Sequence, residues 1–123
     1  RVAGRLPLYC TATGKIFLAF SRPSLFATCV SAGLVPLTRH TIRSSAALAG
    51  QLERVRANGI ATEYEETRLG YGSVAVPVFG AGNLLVGALS ITAPTPRLDV
   101  RRLTGGLRSA ATGIRRSLCA VEA

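Results

Sequence analysis

The chain has 123 residues, 48% of them apolar and 17% charged, with a mean hydropathy of +0.33. That supports one hydrophobic core and excludes a disordered segment, and a domain of this size buries roughly two thirds of its unfolded surface without metals or disulfides. Cys10, Cys29 and Cys119 form no Cys-x-x-Cys pair and there is one histidine, so no disulfide framework, zinc site or other cofactor is implied and a reducing cytoplasm is expected.

Fifteen basic against six acidic residues give a net charge of +9 and a pI near 11.0. Anionic partners are suggested, but the arginines run singly or in pairs from Arg1 to Arg116 with few aromatics between them, which reads as a solvated surface rather than a nucleic-acid face. The chain opens on Arg1, contains no Met and lacks an apolar signal core, so a piece of a longer protein is expected.

In chain order, Leu6–Cys10 reads as a short extended segment. Thr11 to Lys15 then turns into a buried helix start at Ile16–Phe20. Pro23 suits a first helical position for a second helix that ends near Gly33, and Leu34 to Ile42 should be extended or irregular. Ser44 or Ser45 caps a third helix carrying Leu48, Leu52 and Val55 on one face and stopping at Asn58-Gly59. Ile60–Glu66, Gly72–Phe79 and Leu84–Ala93 read as three strands in an antiparallel meander.

The apolar run Val74–Pro94 is long enough to suggest a membrane span. Pro77, the turn Gly80-Ala81-Gly82-Asn83, Ser90 and Thr92 break it into a hairpin instead, and no membrane association is expected. From about Asp99, Leu103, Leu107, Ala111, Ile114 and Leu118 mark a closing amphipathic helix. Gly105, Gly106 and Gly113 each weaken that helix by up to about 1 kcal/mol relative to alanine, so it must draw stability from docking on the sheet or on another subunit.

The hairpin concentrates polar groups. With Gly80–Asn83 as the loop, Phe79 pairs with Leu84, Ser73 with Ser90 and Tyr71 with Thr92. Alternation then puts those four on one face and Val74, Leu89 and Ile91 on the other. Spacing alone leaves Ser73, Ser90 and Thr92 open to two roles, as a pocket face or as ordinary cross-strand hydroxyls. Ala12-Thr13-Gly14 offers free amides at a positive helix terminus, where a carboxylate or phosphate is stabilised. Thr-Ala-Thr-Gly-Lys lacks the glycine spacing of a phosphate loop, and Lys15 is not followed by Ser or Thr.

Among the acids, Glu63 and Glu65 should share a strand face and Glu66 the other, without an obvious catalytic partner. His40 reads as a loop histidine outside any triad pattern. Cys10 reads as a small apolar residue rather than a reactive thiol.

Taken together, Leu6-Pro7-Leu8-Tyr9-Cys10-Thr11-Ala12-Thr13-Gly14-Lys15, the run Asn58-Gly59-Ile60-Ala61 into Glu65-Glu66, and Val76-Pro77-Val78 followed by Ala88-Leu89-Ser90-Ile91-Thr92-Ala93-Pro94 resemble the effector-binding domain of IclR-type bacterial transcription regulators. The resemblance implies an α+β, GAF-like fold: an antiparallel sheet with flanking helices, here incomplete at the N-terminus. Residues 1–123 would form part of the effector-binding domain, with the family's winged helix-turn-helix reader absent from this chain.

It implies a cytoplasmic, non-enzymatic sensor. Its partner would be a small-molecule effector, expected to be a carboxylate, with DNA bound only through the missing domain and a homodimer or homotetramer as the assembly. Carried over by position, the pocket corresponds to Ala12, Thr13, Glu63, Ser73, Ser90 and Thr92, with Leu6 and Tyr71 as apolar walls.

The chain departs from the family where Asp, Cys and a second Ser are common and Glu63, Ser73 and Thr92 stand here, so the ligand itself does not carry over. The expected arrangement puts a ligand carboxylate on the Ala12–Gly14 amides and the Ser90 and Thr92 hydroxyls, with Glu63 accepting from a ligand hydroxyl or water. Two alternatives compete: a thiol-dependent enzyme using Cys10, which lacks a plausible resolving partner, and direct, salt-sensitive nucleic-acid binding through the arginines.

Overall fold

A computed structural model describes residues 7–122. Four helices, α1 (Ala12–Phe20), α2 (Pro23–Ala32), α3 (Ser45–Asn58) and α4 (Val100–Glu122), flank an antiparallel sheet of β1 (Ala61–Tyr64), β2 (Tyr71–Phe79) and β3 (Leu85–Pro94) in the order β1-β2-β3. The fold is α+β, as expected.

Helix limits follow local chemistry. Thr11 caps α1 by accepting from the Gly14 amide at 3.0 Å, Ser44 caps α3 by accepting from Ala47, and Asp99 Oδ1 accepts from Arg102 in the first turn of α4. Gly59 ends α3 in the left-handed conformation (φ 70°), which glycine adopts without a Cβ penalty.

Each face of the sheet has its own core. Towards α1 and α3 lie Ala61, Ala75 and partly buried Ala88, small enough to let Cys10, Ile16, Leu48 and Leu52 close on them. Towards α4 lie Val74 and Val76, packed with Leu107, Leu89 and Leu103. Phe20, the last residue of α1, meets Phe79, the last of β2, edge to face at 5.3 Å. Helix α1 thus meets one end of β2 through Phe20, while its Lys15 reaches Glu66, whose amide is bonded to Glu63, the partner of Ser73.

Three expectations change. Leu8–Cys10 forms bends rather than an extended segment, because Thr11 Oγ1 donates back to the Pro7 carbonyl at 2.7 Å and Tyr9 Oη reaches the Val35 carbonyl at 2.7 Å. A Cβ on Gly14 would overlap Leu8's backbone and Thr11 Oγ1, so this close return of the chain onto α1 requires glycine.

The hairpin register is displaced by two residues: Ser73 pairs with Thr92, Tyr71 with Pro94 and Ser90 with Ala75. Phe79 pairs with Leu85 rather than Leu84 because the loop includes a 3-10 turn, Ala81–Asn83, and a bulge between Val78 and Phe79 leaves Val86 unpaired.

Finally, β1 stops at Tyr64, since Glu65 turns into the left-handed region (φ 58°) and its carboxylate accepts from the Gly70 amide. Glu63 and Glu65 therefore do not share a strand face.

Candidate functional site

Because the register error is even, Tyr71, Ser73, Ser90 and Thr92 still alternate onto one face, the face covered by α1, while Val74, Leu89 and Ile91 take the other. Glu63 joins them, directly opposite Ser73 on β1. Ser73 Oγ donates to Glu63 Oε1 at 3.1 Å, which leaves the serine only its lone pairs for any further partner. Ser90 and Thr92 are exposed, and their hydroxyls have no partner among the described residues.

The α1 terminus is narrower as an anion site than expected. The Gly14 amide is already spent on Thr11 Oγ1 and that of Lys15 on the Thr11 carbonyl, so Ala12 and Thr13 hold the free donors. Tyr71 is half-buried, with the Arg68 guanidinium 4.1 Å above its ring. Leu6 lies outside the described residues.

Glu63 is buried, and burial pushes its carboxyl above the ordinary range. Hydrogen bonds from the Glu66 amide to Oε2 (2.9 Å) and from Ser73 pull it partly back. The second carboxylate was expected on the opposite face; instead Glu66 turns inward. Its Oε2 pairs with Lys15, 1% exposed on α1, and its Oε1 accepts from the Ile42 amide at 3.0 Å. Thr41 Oγ1 donates to the Glu66 carbonyl and Thr38 Oγ1 to that of Glu65.

Sequence reasoning missed this network. Its one signal is a lone lysine in the apolar run Gly14–Phe20, since a buried ammonium demands a partner.

Cys10 has no exposed surface, and burial with the nearby Glu66 carboxylate pushes its thiol up to about 12. A thiol so held lacks the thiolate character and access that nucleophilic catalysis needs. His40 is exposed in its loop, as expected. Among the described residues no helix is long and apolar enough to cross a membrane.

Residues 1–116 match the family model described as bacterial transcriptional regulator IclR C-terminal. The chain belongs to that family.

Among curated relatives, the DNA-binding transcriptional repressor YiaJ of Escherichia coli is 37% identical over 100 residues, covering 79% of this chain and 36% of the relative. An IclR homologue of Microbacterium hydrocarbonoxydans in complex with 4-hydroxybenzoate superposes with a TM-score of 0.89 at 28% identity, over 98% of this chain and 49% of that one. A double mutant of the PobR inducer-binding domain from Acinetobacter, in complex with 3-hydroxybenzoic acid, gives 0.84 at 29% identity, over 94% and 69%.

This chain spans under half the length of the curated relatives it matches. It is thus an IclR-type effector-binding domain, and the relatives' names are those of transcription regulators.

Proposed function

We propose that this domain senses a small carboxylic acid on the α1 face of its sheet. The carboxylate sits against the Ala12 and Thr13 amides and the Ser90 and Thr92 hydroxyls. Glu63 and Ser73 accept hydrogen bonds from a ligand hydroxyl, and Tyr71 walls the apolar part.

The observation that carries this reading is the pair of hydroxyls without partners among the described residues, Ser90 and Thr92, aligned with the buried Glu63–Ser73 pair on the sheet face that α1 covers. The hydroxybenzoate complexes of two structural relatives support an aromatic hydroxy acid as the first class to test.

Occupancy shifts a conformational or oligomeric equilibrium, in a cytoplasmic homodimer or homotetramer. The shift is passed to a winged helix-turn-helix domain in the same assembly, with no chemistry done on the ligand.

The test is a thermal-shift screen with 4-hydroxybenzoate, 3-hydroxybenzoate and aliphatic keto acids, repeated on the Ser90→Ala, Thr92→Ala variant. A ligand at a hundred times its Kd stabilises the native state by about 2.7 kcal/mol, so its midpoint rises, and the variant should lose that rise while its unliganded midpoint stays close to that of the parent. Equal shifts in parent and variant would place the acid elsewhere.

A further inference from the structure

A cleft of about 360 Å3 opens among the helices, and none of the sheet-face residues Ala12, Thr13, Ser73, Ser90 or Thr92 lines it. Its walls are apolar and come from three helices, with Leu18 and Ala19 on α1, Pro23 and Phe26 on α2, and Ala49 and Leu52 on α3. Ala19 and Ala49 contribute only a methyl each, so neither α1 nor α3 fills the space from those positions. Helix α2 does not seal it either, because none of its residues is buried.

Two polar residues complete the lining, Ser21 and Arg56, and both are exposed. A hydrogen bond places the guanidinium at the α1 wall: Arg56 Nη1 donates to the carbonyl of Ala19, itself a lining residue, at 3.3 Å. That carbonyl lies in the last turn of α1, and Pro23, four residues on, has no N–H to offer it. The bond uses one of the five guanidinium donors. No carboxylate lies within ion-pair distance of Arg56 among the described residues.

An apolar wall facing open space forgoes dispersion contacts that an apolar occupant would restore, while the occupant removes its own surface from water. The volume falls within the range of small-molecule pockets, whose lining is mostly apolar with a few polar groups that fix orientation. Here the orienting group is a cation with donors to spare, which matches a ligand with an apolar body and a single acid group.

We propose that this cleft is a second small-molecule site, taking a medium-chain monocarboxylate whose alkyl body lies against Leu18, Phe26 and Leu52 and whose acid group meets the remaining N–H groups of Arg56. The site stands independently of the effector reading and differs from it in chemistry. The hydroxy acid of that reading needs an acceptor for its hydroxyl, and the walls of the cleft carry no polar side chain.

The experiment titrates the isotope-labelled chain with sodium hexanoate. Comparators are 1-hexanol, which keeps the alkyl body without the charge, and sodium acetate, which keeps the charge with four fewer methylenes. Amide and methyl resonances of Leu18, Ala19, Phe26, Ala49 and Leu52 report on the cleft. Hexanoate should give saturable shifts there and bind about fivefold tighter than hexanol, the upper end for an exposed ion pair. Acetate should not saturate below about 100 mM. Arg56→Gln should bring hexanoate down to the level of hexanol. Ala49→Leu fills the cleft and should abolish both, with an unfolding midpoint no lower than that of the parent. The Ser90→Ala, Thr92→Ala variant should bind hexanoate at the cleft as the parent does.

Equal binding of hexanoate and hexanol in the parent overturns the proposal, as does hexanoate binding that survives in Ala49→Leu or disappears in the Ser90→Ala, Thr92→Ala variant. Sedimentation of the ligand-free chain tests the other occupant. A dimer that Ala49→Leu dissociates would give the cleft to a second copy and overturn the site equally.

Discussion

The two faces of the sheet come from the same strands and are built on opposite rules. Towards α4, Val74, Val76, Leu103 and Leu107 form an aliphatic layer, and the buried Thr104 Oγ1 beside them has no hydrogen-bond partner among the described residues. Towards α1 and α3, polar groups are numerous and, Gln51 Oε1 apart, the buried ones are joined: Ser73 to Glu63, Glu63 to the Glu66 amide, and Glu66 to Lys15 and Ile42. The α4 face is a packing surface that tolerates a polar intruder. The α1 face is a framework whose polar groups hold one another in place, with the free hydroxyls of Ser90 and Thr92 at its border.

The largest effect should come from breaking the framework. Lys15→Ala strips the partner from a buried carboxylate and should cost about 3–5 kcal/mol in urea unfolding. The double variant Lys15→Met, Glu66→Gln keeps an acceptor for the Ile42 amide while removing both charges, and should recover most of that loss. A single variant within about 1 kcal/mol of the parent would mean that the α1 face is held together by its apolar contacts alone.

The opposite sign is expected on the other face. Thr104→Val replaces an unpartnered hydroxyl with a methyl of similar size at similar helix propensity. It should raise stability by about 1 kcal/mol, read as a higher unfolding midpoint. A loss would show that the hydroxyl is satisfied in solution and that the two faces differ less than their partners suggest.

The two faces were unequally legible in the sequence. Period-two alternation assigns Val74 and Ser73 to opposite sides whatever the loop does, and it survived a register that was wrong by two residues. The longer turn and the Val86 bulge each added one residue, and an even slip leaves every side chain on its face. Helix α3 was legible at both ends because caps are local: Ser44 and Gly59 act on amides and carbonyls within one turn.

The Lys15–Glu66 pair joins residues 51 apart and obeys no spacing rule. The reading of Glu63, Glu65 and Glu66 as a simple alternating strand failed at Glu65, whose left-handed conformation ends the alternation and turns the next carboxylate into the protein. On the α1 face, the alignment of Ser73, Ser90 and Thr92 was legible. The capture of the Gly14 amide by Thr11 was not, although Thr11-x-x-Gly14 has the spacing of a cap.

The smallest effect, and the most informative about the α1 face, is the pH dependence of Glu63. Its carboxyl is raised in the folded state by burial above the ordinary 4.5. The folded protein therefore binds that proton more tightly than the unfolded chain does. The stability this contributes is fully present below the unfolded value and is lost as pH rises through the folded one. Glu63→Gln keeps an acceptor for the Glu66 amide and for Ser73 but cannot ionise.

The difference in unfolding free energy, variant minus parent, should accordingly climb with pH from about 4.5 and level off above the raised value, never more steeply than about 1.4 kcal/mol per pH unit for one proton. Denaturant titrations across that range measure it directly. A flat difference would mean that the Glu66 and Ser73 hydrogen bonds fully offset the burial. A fall with pH would mean that Lys15 and the two donors win outright, leaving Glu63 ionised more readily in the fold than out of it. A rise would instead leave a neutral Glu63 available near the carboxylate of the proposed effector at mildly acidic pH. Acid binding on the α1 face should then weaken as pH passes through the same window, because the newly formed charge repels the ligand that the Ala12 and Thr13 amides attract.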